Sequence, residues 1–135
     1  MTVTFHNPPT APPPAAAYSN VAEIDLGGAK LLILAGQAAL DHEGELVGHD
    51  DMRAQTRQVF EAIGALLADR GATFADVVKI RTYLTDMTRL KEYGEARLTY
   101  LGDARPTSTT VEVSTLFREG ALLEVDITAV VPGTR

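Results

Sequence analysis

The chain has 135 residues, of which 45% are hydrophobic and 22% are charged. This size and composition predict one globular domain with a single hydrophobic core. The net charge of −6 argues against nucleic acid as a partner, because Lys and Arg contacts to phosphates supply most of the sequence-independent affinity. The chain contains no cysteine, which excludes disulfides and thiolate chemistry.

The sequence gives no sign of contact with a membrane. The longest apolar run, residues 31–35, is far too short to cross a bilayer. The first residues lack the charged and apolar regions of a secretory signal. We therefore expect a cytoplasmic protein.

Residues 1–17 are predicted to form an N-terminal tail rich in Pro and Ala, and residues 18–135 the single domain. Five prolines lie between positions 8 and 14, and this composition favours extended backbone. A strand is predicted over residues 18–26 and a second, fully apolar strand over residues 30–35. The intervening pair of glycines is typical of a hairpin turn.

The middle of the chain predicts two helices separated by one strand. The first helix begins at a cap, Asp50 or Asp51, carries apolar residues at helical spacing and ends at Gly71. The segment 77–84 is rich in β-branched residues and predicts a strand with Val78, Ile80, Thr82 and Leu84 on one face. The second helix is predicted over residues 88–101.

Two strands close the chain, and both alternate between two faces. The resulting order, β-β-α-β-α-β-β, predicts an α+β fold in which two helices pack on one face of one mixed sheet. The open face is predicted to be partly polar and partly apolar, which is more typical of a subunit interface than of bare surface, so we expect a homo-oligomer. Its predicted members are Ser108, Thr110, Glu124, Asp126, Thr128, Val130, Leu122, Leu32 and Leu34.

Glu124 is the residue with the clearest potential for chemistry. It is a carboxylate within an otherwise apolar strand, and the preceding strand is rich in hydroxyls. Pattern alone favours a structural interpretation, in which the carboxylate is hydrogen-bonded at an interface. The functional interpretation is a general acid or base that positions a water, with a pKa set by partial burial.

The histidines provide no comparable signal. His42 and His49 lie in an acidic loop before the first helix, and their spacing matches no metal-ligand pattern. Acidic residues are common at a helix entry because they interact favourably with the helix dipole. The sequence also contains no phosphate-binding loop and no nucleophile elbow. We expect neither a metal nor another cofactor.

Three segments resemble the Rid superfamily, the YjgF-like reactive intermediate deaminases that also carry the endoribonuclease L-PSP name. They are AGQAALDHEGELVG, QTRQVFEAIGALLADRGATFADVVKIRTYLTDM and VEVSTLFREGALLEVDITAV, and the resemblance extends from residue 18 to residue 131. It implies a chorismate-mutase-like α+β fold and a homotrimer with ligand clefts between subunits. In the best-known branch, these clefts hydrolyse enamines and imines such as 2-aminoacrylate.

The resemblance also implies roles for particular residues. Tyr18 and Ser19 match a Tyr-Ser pair of the family, and Gly36 matches the glycine of its Ser-Gly-Gln motif, although Ala35 replaces the serine. The glutamate that helps to position the hydrolytic water falls on Glu124. Tyr18 and Gly36 are therefore predicted to shape the substrate pocket, and Glu124 to be catalytic.

The substrate-binding arginine of the deaminase branch is missing. Its position, three residues before the Val-Glu-Val motif, holds Ser108, and the nearest arginine, Arg105, lies three residues earlier. The family's cysteine position is Thr110 and its asparagine in the second helix falls on Gly94. Loss of a charged hydrogen bond costs about 1.5–3 kcal/mol, so amino-acid-derived imines are expected to be poor substrates. Ser108, Thr110 and Arg105 remain candidate substrate-binding residues.

Three hypotheses follow. The first is a trimer that binds a small organic molecule between subunits and hydrolyses an imine- or enamine-like group in a substrate other than simple amino-acid-derived imines. The second is a trimer that binds a small ligand or interacts with a protein and has lost the chemistry. The third, ribonuclease activity, is disfavoured by the acidic charge.

Overall fold

The structure, a computed structural model that describes residues 1–133, contains a six-stranded sheet and two α-helices in that part of the chain. The strands are β1 (Thr2–His6), β2 (Val21–Asp25), β3 (Ala29–Leu34), β4 (Val77–Leu84), β5 (Thr107–Glu112) and β6 (Leu123–Pro132), and the helices are α1 (Met52–Asp69) and α2 (Leu90–Leu101). Two single turns of 3₁₀-helix, at Phe74–Asp76 and Met87–Arg89, precede β4 and α2.

The strands lie in the order β1-β2-β3-β6-β4-β5. Only β4 and β5 are parallel, because α2 returns the chain between them, whereas all other neighbours are antiparallel. The predicted α+β fold with one mixed sheet is confirmed. The last strand, β6, lies at the centre of the sheet, and β1 and β5 form its two edges.

The two helices cover one face of the sheet. The β6 side chains facing them are buried, whereas the alternate ones, beginning with Glu124, are at least partly exposed. α1 begins where the Asp51 carboxylate accepts a hydrogen bond of 3.0 Å from the Ala54 N–H, as predicted for one of the two candidate caps. The core includes Leu32, Leu34, Phe60, Ile63, Leu66, Ile80, Leu84, Tyr93, Leu123, Val125 and Ile127.

The predicted tail contains a strand that the sequence analysis missed. β1 pairs with β2 along its full length, from Thr2 opposite Asp25 to His6 opposite Val21. Its sequence, TVTFH, is rich in residues that favour strands. The prolines begin at Pro8, after the end of the strand, so they stop the strand rather than prevent it.

The predicted composition of the open face was partly wrong. Leu32 and Leu34 are buried in the core. Ser108 and Thr110 pair with Ile80 and Thr82 of β4, which are both buried on the helix side, so the two hydroxyls lie on that side as well. Ser108 and Thr110 share one face of β5, as predicted. The parallel register with β4 places that face toward the helices, not toward the open side.

The predicted face of β4 was wrong at Val78, which does not lie with the buried Ile80 and Thr82, because an irregularity in the pairing of β4 with β6 falls between Val77 and Lys79. Val77 is buried and Val78 is exposed, as expected where a bulge shifts the alternation by one residue. Neither α-helix of the described chain has the length and apolar composition needed to cross a membrane.

Candidate functional site

Glu124 projects from the open face of β6 into a cavity of about 320 Å³. Its side chain is half-buried, because the segment before β2 and the loop before β6 rise on either side. Tyr18 and Gly36, the other two residues predicted for this part of the site, lie in the same cavity. The full lining is Ala15, Ala16, Tyr18, Ala35, Gly36, Phe117 and Glu124.

Gly36 lies directly against the carboxylate of Glu124. A Cβ at position 36 would be 2.8 Å from the Glu124 Cδ and closer still to Oε2, nearer than real Cβ atoms approach. The contact is fixed by the next residue, since the Gln37 N–H donates to the Val125 carbonyl (2.8 Å) and the Val125 N–H donates to the Gln37 carbonyl (3.0 Å). A side chain at position 36 would therefore displace the Glu124 carboxylate, and glycine lets it stay where it is.

The Glu124 carboxylate has no hydrogen-bond or ion-pair partner among residues 1–133. Burial raises its pKa above the ordinary value for a glutamate, and the negative charge of Asp126 raises the pKa further. Asp126 itself accepts a 3.0 Å hydrogen bond from Arg81 Nε. The site therefore holds a carboxylate that is turned toward open space and favours a proton more than an exposed glutamate does.

The proline-rich segment is tied to this site by a chain of amide hydrogen bonds. Gln37 Nε2 donates to Asn20 Oδ1 (3.1 Å) and to the Ala35 carbonyl (3.1 Å), and Asn20 Nδ2 donates to the Pro12 carbonyl (3.0 Å). Asn20 and Gln37 are both buried. The segment assigned to a tail is thus a wall of the cavity.

Sequence reasoning missed Ala15, Ala16 and Phe117 as cavity residues. The two alanines are placed by a 3.1 Å hydrogen bond from the Ala15 N–H to Tyr18 Oη. Phe117 is an aromatic residue that stays 59% exposed in the loop before β6. An aromatic side chain within a polar turn was the one available signal.

Ser108 and Thr110 do not join the Glu124 cavity within one chain. They lie on edge strand β5 and on the helix side of the sheet, whereas Glu124 lies on the open side. Ser108 instead accepts hydrogen bonds from Arg97 of α2, at 3.2 Å from both Nη1 and Nη2. The role of the two hydroxyls in substrate binding stays a prediction.

Arg105 does not reach the Glu124 cavity either. Its Nη1 donates to the Gly102 and Ala104 carbonyls, each at 2.8 Å, and so ties the end of α2 to the following loop. No Lys or Arg among residues 1–133 lines the Glu124 cavity. Nor do three His, Asp or Glu side chains converge as a metal site would require anywhere in the described part of the chain.

The geometry thus defines an α+β protein with a small apolar cavity built around one carboxylate. The family model described as Endoribonuclease L-PSP matches residues 8–131. The chain belongs to this family, which is the Rid superfamily predicted from the sequence.

Individual relatives support the same assignment. A RutC family protein of Pyrococcus horikoshii is 36% identical over 120 residues, which cover 88% of this chain and 90% of the relative. A protein of Acinetobacter baylyi named 3-aminoacrylate deaminase RutC is 29% identical over 118 residues, covering 87% of this chain and 90% of that protein. The crystal structure of a protein of Thermotoga maritima described as a possible endoribonuclease matches with a TM-score of 0.86 and 30% identity, covering 98% of this chain and all of the other.

Proposed function

We propose that this chain hydrolyses a small imine or enamine, with Glu124 as the residue that orients and deprotonates the water. The observation that carries the proposal is the Glu124 carboxylate, which is half-buried, has no partner within the described residues and faces a cavity of about 320 Å³. Small-molecule sites are commonly concave and apolar with a few convergent polar groups. The named activity of the Acinetobacter relative is of the same class.

The chemistry needs one carboxylate and one water. Glu124 accepts a proton as the water oxygen attacks the imine carbon and passes it to the imine nitrogen, which gives a neutral carbinolamine. Glu124 then takes the hydroxyl proton of the carbinolamine as the carbonyl forms and delivers it to the nitrogen, so that the C–N bond breaks and ammonia leaves. A raised pKa suits this double role, because a general acid–base group works best when its pKa lies near the working pH.

The cavity walls favour a compact substrate. Ala15, Ala16 and Ala35 present only methyl groups, and Phe117 supplies an apolar flank. Gly36 leaves the carboxylate uncovered on the side where the backbone approaches it. With Tyr18 at the rim, these residues would hold a small planar group beside Glu124 and exclude much of the surrounding water.

We further propose that the working form is a homotrimer whose clefts combine two chains. Ser108 and Thr110 lie across the sheet from Glu124, so a second copy would have to bring them to this cavity. Exposed apolar side chains on the open face support an interface there. These are Ile33, Val111 and Val130, with 45%, 41% and 37% of their surfaces exposed.

A second function is favoured by one observation. Within the described part of the chain, the cavity has no cation to bind a substrate carboxylate, and Arg105 donates to backbone carbonyls. A trimer that binds a small ligand without hydrolysing it would fit these facts as well. Such a protein would keep the cavity and have no use for the ionisation of Glu124.

An assay with imines generated in situ separates the two functions. Amino acids or neutral primary amines are oxidised enzymatically in the presence of the protein, and the release of the carbonyl product and ammonia is compared with the rate in buffer. We expect acceleration by the native chain and a fall of at least about tenfold for Glu124→Gln, which keeps the shape but cannot accept the proton. No acceleration for any imine, charged or neutral, would contradict the hydrolase.

A further inference from the structure

A second cavity shares part of its wall with the Glu124 cavity. It has a volume of about 260 Å³, and Ala15 and Phe117 line both cavities. The proline-rich segment, the turn that follows Leu40 and the loop before β6 enclose it, and we call it the proline groove. Its lining is Pro13, Pro14, Ala15, Leu40, His42, Glu43, Gly44, Phe117 and Arg118.

The backbone around the proline groove offers few free hydrogen-bond donors. Pro13 and Pro14 have no N–H group. Four other N–H groups of the lining already donate within the chain, namely those of Ala15, Leu40, Glu43 and Gly44. The groove is therefore poorly suited to a ligand that presents only acceptors.

Arg118 supplies a positive charge to the lining, but its terminal nitrogens are already engaged. Nη1 donates to the Gly44 carbonyl at 2.8 Å, and Nη2 donates to Glu45 Oε2 at 3.2 Å. The Glu45 carboxylate forms an ion pair with Arg118 and so offsets its charge. The guanidinium thus contributes little net charge to the groove.

Glu43 gives the groove a negative charge that nothing in the described chain offsets. Its carboxylate has no hydrogen-bond or ion-pair partner among residues 1–133. Phe117 keeps 59% of its surface exposed, and the face of an aromatic ring attracts cations. His42 adds a ring nitrogen that accepts a hydrogen bond when the imidazole is neutral. These three groups all favour a ligand that is positively charged and donates hydrogen bonds.

We propose that the proline groove binds a small organic ammonium ion. Its N–H groups donate to the Glu43 carboxylate, as in other charge-assisted hydrogen bonds, and its apolar part lies against the two prolines and Phe117. The net charge of −6 favours the approach of a cation. The inference does not depend on the proposed function, because Glu124 is not part of this groove.

Butylammonium tests the site, with butanol as a neutral probe of the same length and butyrate as the anion. The Gly44 amide and the Leu40 methyl groups report on the proline groove, whereas the Gly36 amide reports on the Glu124 cavity. These resonances are followed by NMR in the folded full chain as each probe is added. We expect butylammonium to shift the Gly44 and Leu40 resonances with saturation, and the other two probes to bind at least about threefold more weakly. No shift, or equal binding of butanol, would overturn the proposal.

Two variants assign the charge effect to Glu43. Glu43→Gln should weaken butylammonium binding about threefold, as expected for an exposed ion pair, and should leave butanol binding unchanged. The control is Asp103→Asn, which removes one negative charge from an exposed position that lines neither cavity. In about 0.15 M salt, which screens remote charges, it should leave the affinity near the native value. Equal weakening by both variants would indicate a general charge effect and would refute the site.

Phe117→Leu tests the contribution of the aromatic ring. Leucine keeps an apolar side chain but has no ring face, so butylammonium should bind about twofold or more weakly while butanol binds as before. Equal loss of both probes would show that Phe117 contributes apolar contact only and that the ring does not recognise the cation.

Glu124→Gln separates the proline groove from the Glu124 cavity. We expect this variant to bind butylammonium with native affinity. If it loses binding, or if butylammonium shifts Gly36 and leaves Gly44 unchanged, the cation binds at Glu124 and the proposal is wrong. Butylammonium binding without hydrolysis of any imine would contradict the proposed function alone, and hydrolysis without butylammonium binding would contradict the proline groove alone.

Discussion

Gly36 and Glu124 are packed so closely that no other residue fits at position 36 while the carboxylate keeps its place. A Cβ on Gly36 would lie 2.8 Å from the Glu124 Cδ and 3.1 Å from its Cγ. The backbone at Gly36 cannot retreat easily, because Gln37 is held to Val125 by two backbone hydrogen bonds. The Glu124 carboxylate can therefore occupy its position because Gly36, on the neighbouring loop, has no side chain.

Gly36→Ala should lower activity with little loss of stability. The added methyl must displace the Glu124 carboxylate, and misplacing a catalytic group by about 1 Å can cost about 100-fold in rate. The backbone at position 36 is not in the left-handed region, so alanine adds no φ strain. The measurement is kcat/KM for imine hydrolysis together with the midpoint of urea unfolding.

The matched control for this variant is Gly28→Ala. A Cβ there meets nothing within 4 Å and the φ is also ordinary, so both activity and unfolding should stay near the native values. Native activity in Gly36→Ala would mean that the position of Glu124 does not matter for the reaction.

The acid limb of the pH–rate profile should report Glu124. Its carboxylate must be ionised to accept a proton from water, so activity should fall as the pH drops through its pKa, which burial and Asp126 raise above the ordinary value. Asp126→Asn removes one of these two causes and should move the limb to lower pH. Asp103→Asn, an exposed acid outside the cavity, is the control and should leave the limb in place. If the acid limb has the same midpoint in Asp126→Asn as in the native chain, a group other than Glu124 controls the rate.

Glu124→Gln should make the protein more stable at neutral pH while it removes activity. A carboxyl whose pKa is raised by folding favours the folded state when protonated, and this contribution is lost as the pH rises through the folded-state pKa. The neutral amide avoids the cost of burying the charge. Thermal unfolding should give a higher Tm for the variant at pH 8, and the difference should shrink as the pH falls. A Tm gain that does not change with pH would point to packing rather than to charge.

Local features of the fold were readable from the sequence. The Val77–Leu84 strand was predicted with the bounds that the structure has, and the alternation of β6 matches its burial pattern. Both depend on residues that are neighbours in sequence, where period-two patterning and propensity act directly.

Features set by distant partners were not readable. The parallel register of β5 on β4, which turns Ser108 toward the helices, depends on how α2 delivers the chain to the edge strand. The wall around Glu124 depends on the hydrogen bonds from Gln37 to Asn20 and from Asn20 to Pro12. Neither contact produces a periodic pattern in the sequence. The composition of residues 1–17 therefore suggested a tail, whereas the structure has β1 and part of the cavity wall there.

Gln37→Ala should loosen that wall. The substitution removes the partner of the buried Asn20 Oδ1, and leaving a buried polar atom unpaired costs about 1–3 kcal/mol. We expect a loss of this size in urea unfolding and a rise in KM, because the segment that carries Ala15 and Ala16 is tethered through Asn20. Gln58→Ala is the control, since it also removes a side-chain amide bond, to the Leu40 carbonyl (2.8 Å), but away from the cavity. It should lower stability without raising KM, and an equal KM effect in both variants would mean that the tether has no special role.

Glu23, which lies outside the Glu124 cavity, should make the free energy of unfolding depend on pH. Its side chain is only 10% exposed and lies near Arg70, Lys30 and His6. Burial alone would raise its pKa, but the hydrogen bond from Arg70 and the nearby positive charges outweigh burial and lower the pKa. A carboxyl with a lowered folded-state pKa stabilises the fold above its unfolded-state pKa, and this contribution is lost as the pH falls through the folded-state value.

Glu23→Gln should therefore cost about 1.5–3 kcal/mol at pH 7, the usual value of a hydrogen bond to a charged group, and the difference in unfolding free energy from the native chain should disappear in acid. Urea unfolding between neutral and acidic pH measures this. The control is Glu43→Gln, at an exposed position with no ion pair among residues 1–133, and it should follow the native curve. A constant difference between Glu23→Gln and the native chain at every pH would show that shape, and not charge, makes Glu23 important.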